Sequence, residues 1–173
     1  NTCRAACREP ARLMRRILVT RPLAQNASLV QALQQQGLQA VVLPLLAIET
    51  FNEGEHLLAC NAIKSVVQRL DEFRHLIFTS TNAAAAGWAW IDRYWPQLPA
   101  GQHWYAIGAA TAAALRRQGI PVQETEGAMN SETLLQHPCL QQVQGDKVLI
   151  FRGVGGRHEL RQVLGQRGAR VEY

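Results

Sequence analysis

Aspartate is scarce in this 173-residue chain, occurring only at 71, 92 and 146, and no two carboxylates stand out as a pair for acid–base work. G-x-S-x-G is absent, which removes the nucleophile elbow of an α/β hydrolase. Walker A is absent too, and the one glycine-rich stretch that approaches G-x-G-x-x-G has His158 where the last glycine would stand. The five histidines, at 56, 75, 103, 137 and 158, form no HxH or HxxxH pair, so neither a metal site nor a cofactor is expected. No apolar run approaches the roughly 18 residues of a membrane span. Cysteine occurs only at 3, 7, 60 and 139, with no second ligand at metal spacing. These read as reduced thiols of a cytoplasmic protein.

What is present begins with a formal charge of +5. Residues 1–16 hold five arginines and Glu9, so the remaining body carries only +1. No basic face for nucleic acid is expected on the body, although single arginines remain able to meet anionic groups. Residues 1–13 have no apolar core and are not a secretory signal. They read as a disordered extension ahead of Met14.

From residue 17 onward, short apolar runs alternate with helical periodicity. Strands are predicted at 17–20 (ILVT), 39–49, 75–78 (HLIF), 104–107 (WYAI), 121–124, 147–151 (KVLIF) and 169–173. Helices are predicted at 24–36, 55–71, 83–95, 110–118, 132–143 and 158–167, the first of these closed by Gly37 and the last by Gly168. Pro44 makes 39–49 an edge, a bend or a crossover. Pro138 should split or kink the helix at 132–143. Alternation of this kind specifies a mainly parallel sheet covered by helices on both faces. Ligands of such folds sit at the carboxyl ends of the strands.

That rule singles out residues 20–22, 79–82, 108–111 and 152–157. RGVGGR at 152–157 places loop N–H groups and two guanidiniums at a helix start, which suits carboxylates as well as phosphates; a turn needed only for packing is the competing reading. Thr79, Ser80, Thr81 and Asn82 are helix-cap residues or ligand donors. Gly108 with Thr111 reads either as a plain turn or as an anion-binding one. Together these loops describe a site for a multiply anionic small molecule, without naming a reaction.

In order, the chain reads ILVTRP, LPLLAIE, IFTSTNA, AIGAATAAAL, SETLL and VLIFRGVGGR, followed by an RGA turn. This series, spanning 17–173, resembles the uroporphyrinogen-III synthase family. The resemblance implies a lyase of haem biosynthesis that dehydrates and cyclises hydroxymethylbilane, inverting the last pyrrole ring, without metal or cofactor. It implies a fold of two α/β domains joined by crossover strands: residues 14–43 beginning the first, 44–50 the outgoing crossover, 51–173 the second. The first domain would be incomplete, the chain a fragment inactive alone, and the complete protein a monomer. Carried onto this sequence, the substrate-binding residues are Arg21, Thr79, Ser80, Asn82, Gly108, Thr111, Ser131, Arg152 and Gly153. The family's tyrosine in the return crossover falls later than Tyr173 by spacing from the RGA turn, so no catalytic residue is assigned. A non-catalytic tetrapyrrole- or anion-binding α/β module is the alternative; a nucleotide-binding domain is disfavoured by the failed phosphate-loop tests.

Overall fold

The computed structural model describes residues 15–123, 130–156 and 158–173. Residues 1–13, Glu124 of the expected strand and Arg157 of the glycine-rich turn lie outside the described residues. The chain divides into two compact units, Asn1–Thr50 and Phe51–Tyr173.

In the first unit, β1 (Arg16–Val19) pairs in parallel with β2 (Gln39–Val42). The helix expected from residue 24 is broken into a 3-10 turn at Leu23–Gln25 and α1, Ala27–Gln35. Asn26 causes the break. Its backbone N–H donates to Leu23 and its side-chain amide to the Arg21 carbonyl, at 3.2 Å each. Gly37, at φ +70°, turns the chain back toward β2. The strand-like run at 39–49 is regular only as far as Val42. The N–H groups of Leu43 and Leu45 still reach Val19 and Thr20, but Pro44 between them has none to donate.

The second unit is built on a four-stranded, all-parallel sheet of order β4–β3–β5–β6. Its strands are β3 (His75–Phe78), β4 (His103–Ala106), β5 (Lys147–Phe151) and β6 (Arg170–Glu172). HLIF and KVLIF carry apolar side chains to both faces because helices cover both. Leu76, Phe78, Trp104, Ala106 and Leu149 face α2 (Leu57–Val67), α3 (Thr81–Tyr94) and α4 (Ala109–Arg116). Ile77, Tyr105, Val148 and Ile150 face α5 (Ser131–Leu135), α6 (Pro138–Gln141) and α7 (Glu159–Gln166). Each fully buried Leu, Ile or Phe contributes roughly 1.5–3 kcal/mol. Gly87 lets α3 approach the stacked Phe78–Phe151 pair, since a Cβ there would stand 2.5 Å from the Phe151 ring.

Two further expectations are corrected, and one, the split at Pro138, is met. The helix at 55–71 ends at Val67, and a 3-10 turn at Leu70–Glu72 follows. The helix at 132–143 is two helices, with Pro138 opening the second where its missing N–H costs nothing. Of the strand at 121–124, the described residues retain one bridge, Val122 to Trp104. Among the described residues, no helix is long and apolar enough to cross a membrane.

The strand order carries the functional consequence. From β3 the chain moves outward to β4, then crosses past β3 to β5 on its other side. Connections therefore diverge at the carboxyl ends of β3 and β5. Such a switch point leaves a crevice in a doubly wound sheet.

Candidate functional site

Register levels the strand ends. Phe78 pairs with Ala106 on one side and Phe151 on the other, so Thr79, Ile107 and Arg152 emerge side by side. Thr79 fastens this edge: its N–H and its Oγ1 both donate to the Phe151 carbonyl at 3.1 Å. The Ile107 N–H donates to the Phe78 carbonyl at 2.8 Å. Above them opens a pocket of about 380 Å³ whose polar lining includes Thr79, Ser131, Glu132, Arg152, Glu159 and Tyr173. Ile107, Ile150 and Leu160 supply apolar wall, so flat rings and charged groups both find surfaces there.

The Arg152 side chain lies along its own loop. Nε donates to the Gly153 carbonyl at 3.1 Å and a terminal nitrogen to the Gly156 carbonyl at 2.5 Å. These bonds fix the guanidinium at the pocket wall, a geometry suited to a carboxylate.

The structure sorts the residues singled out from sequence. Thr79, Ser131, Arg152 and Gly153 line one pocket. Ser80 caps α3, its Oγ accepting from the Ala83 N–H at 3.1 Å, so its hydroxyl is in structural use. Asn82 is half-buried in the first turn of α3 and is not part of the pocket lining. Gly108 starts α4 at φ +89°, a conformation glycine adopts without strain. Thr111 is only 3% exposed within α4, which withdraws its hydroxyl from any ligand at the surface. Arg21 is exposed in the first unit, with a guanidinium nitrogen 3.4 Å from Gln25 Oε1.

Sequence reasoning missed Glu132, Glu159 and Tyr173, each on a different element. The signal for the first two was position, in the opening turns of α5 and α7. Asn130 caps α5, its side chain accepting from the Thr133 N–H at 2.7 Å.

At the opposite end of the sheet lies a second polar group that the sequence motifs did not show. His75 and His103 open β3 and β4, and register sets their rings 5.3 Å apart. His75 is 1% exposed, with Nε2 3.1 Å from Asp146 Oδ2 and Nδ1 3.2 Å from the Tyr105 hydroxyl. Burial holds the His75 pKa below its ordinary value, outweighing the Asp146 carboxylate that favours the proton. Burial and then the His103 charge lower His137, while burial pushes the Tyr105 hydroxyl well up. Among the described residues, no group of three or more His, Cys, Asp or Glu side chains can hold a metal ion.

Comparison with known proteins places this arrangement in context. A sequence model of the family described as uroporphyrinogen-III synthase HemD matches residues 27–173. The chain is 35% identical over 161 residues to uroporphyrinogen-III synthase of Escherichia coli (strain K12), covering 91% of this chain and 62% of that protein. It is 32% identical over 160 residues to uroporphyrinogen-III synthase of Proteus mirabilis, covering 90% of this chain and 76% of that one. The chain thus spans about three fifths of the length of the Escherichia coli relative. Its fold is similar to a crystal structure of a mutant uroporphyrinogen III synthase from the extremely thermophilic bacterium Thermus thermophilus, with a TM-score of 0.63 at 21% identity over 91% of this chain and 59% of that one.

Proposed function

This chain belongs to the uroporphyrinogen-III synthase family, and from that premise we propose that it serves the dehydration and cyclisation of hydroxymethylbilane to uroporphyrinogen III. The last pyrrole ring is inverted on the way. The observation that supports this reading most is the pocket at the sheet's switch point, which joins Arg152 and the hydroxyls of Thr79, Ser131 and Tyr173 to an apolar wall. A linear tetrapyrrole with eight carboxylates needs that mixture.

Arg152 and the loop amides around Gly153 would hold side-chain carboxylates, with Thr79 and Ser131 as neighbouring hydroxyl partners. Ile107, Ile150 and Leu160 would take a pyrrole face. The reaction begins with loss of the hydroxymethyl oxygen. The C–O bond breaks, the pyrrole nitrogen supplies the electron pair, and the departing hydroxide takes a proton to leave as water. Positive charge then spreads over the ring. Glu132 and Glu159 are poorly suited to the substrate's carboxylates but well suited to that cation. Holding the folded chain for closure at the inverted ring is a task of positioning. No residue of this chain is assigned as the acid.

In the same reading, residues 14–43 begin the first α/β domain, 44–50 cross over, and 51–173 form the second. The division at Thr50 and Phe51 supports it. The near-neutral body supports a small polycarboxylate as the ligand rather than nucleic acid; a cytoplasmic location and a monomeric complete protein belong to the same proposal.

The test supplies hydroxymethylbilane to the chain joined to the part of a relative that it does not span, and separates the product isomers. Type III product is expected. Only the type I isomer, the product of uncatalysed closure, would leave the non-catalytic binding module as the surviving alternative.

A further inference from the structure

The pocket lies between the starts of two helices. Ser131 and Glu132 line it from the first turn of α5, and Glu159 and Leu160 from the first turn of α7. The same two helices meet again at their far ends. Arg167 is the C-cap of α7, and its guanidinium is half-buried. One terminal nitrogen donates to the carbonyls of Leu135, the last residue of α5, and of Leu140 in α6, at 2.8 Å each. The Gln141 side-chain amide donates to the same Leu135 carbonyl at 2.8 Å. A helix of five residues leaves most of its carbonyls without a partner inside the helix. A cation at its carboxyl end meets both those oxygens and the helix dipole. Leu134 and Leu135 also share a core with Leu160 and Leu164. Apolar burial is non-directional, so it sets the distance between the helices more firmly than their register. The Arg167 bonds have direction and fix that register. Any shift of α5 at Leu135 is carried along so short a helix to Ser131 and Glu132.

We propose that Arg167 is a positioning residue which, bonded to the carboxyl end of α5 and to α6, sets the register of α5 against α7 and so places Ser131 and Glu132 at the pocket. This rests on the reading of that pocket as the polycarboxylate site. Arg167 is not part of the pocket lining and acts from the opposite end of the helix layer. It thereby ties the spacing of two pocket walls to a pair of hydrogen bonds that no ligand touches.

The experiment titrates the chain with uroporphyrin III, a fluorescent octacarboxylate, and uses charge at two pocket positions to report where each helix starts. In the parent chain, Glu132→Lys and Glu159→Lys should each tighten binding about fourfold, since a cation replaces a like charge. Arg167→Gln should weaken binding about threefold. In that background Glu132→Lys should gain less than about twofold, because α5 has shifted. Glu159→Lys should keep its gain of about fourfold, because α7 itself has not. Arg167→Lys, whose ammonium still donates, should show the same pattern at smaller size, and it carries the comparison if the glutamine variant does not fold. A merely structural arginine would shrink both gains alike or neither. Either of those results, or unchanged binding in every Arg167 variant that folds, would overturn the positioning role alone. A parent chain that does not bind uroporphyrin, or that binds it with no gain from either lysine, would overturn the reading of the pocket.

Discussion

The two ends of the β3–β5 sheet hold polar groups on opposite terms. At the amino ends, His75, Tyr105 and Asp146 are linked to one another, and His75 is almost wholly buried. At the carboxyl ends, Arg152, Ser131, Glu132 and Glu159 stand around a pocket open to solvent. The same parallel register builds both ends, since each strand delivers its first and last residues level with its neighbours. Where polar groups bind each other out of water, their loss should be felt in stability. Where they ring a cavity, their loss should be felt in ligand binding. Substitutions can break that division or sharpen it.

The largest effect is expected from His75→Ala. It leaves Asp146 and Tyr105 without their partner and opens a cavity beneath β3, lowering unfolding free energy by about 3 kcal/mol in a urea titration. Uroporphyrin affinity of the protein that remains folded should not change. Arg152→Ala should do the reverse, weakening uroporphyrin binding about tenfold with a small shift of the urea midpoint. Acid should act at the amino ends first. His75 is held neutral in the fold, so the unfolded chain takes up protons more readily as pH falls below about 6.5. Stability should be full above that pH and decline below it, toward the lower pKa of the folded state. The slope should be at most about 1.4 kcal/mol per pH unit for each histidine. Removing His75 should leave only the part due to His137. The smallest effect is expected from Glu132→Gln, which removes a like charge from the pocket and should tighten uroporphyrin binding about twofold.

Much of the fold is legible because its signals are local. HLIF and KVLIF are β3 and β5 to the residue. Pro138 splits its helix, and Gly37 and Gly168 end theirs at positive φ. Residues 39–49 read as too long a strand because their apolar run outlasts the N–H groups able to pair across Pro44. The site is only half legible. Arg152, Gly153 and Thr79 follow from one rule about strand ends, and Ser131 from the family resemblance alone. Whether a polar side chain in such a loop faces a ligand or the protein is a matter of packing that residue type does not show. Thr111 is buried and Ser80 caps α3 for that reason. Tyr173, Glu159 and Glu132 come together only through the placement of β6, α7 and α5. The histidine group is invisible for a related reason, since His75 and His103 are neighbours by register and far apart in the chain.

The comparison is tested most directly by mapping backbone amide shifts in a ¹⁵N-labelled sample as uroporphyrin III is added. The account predicts concentrated shifts at Thr79, Ile107, Ser131, Gly153 and Leu160, with His75, His103, Tyr105 and Asp146 unmoved. Shifts centred on the histidine end, or spread evenly over both ends of the sheet, would contradict it.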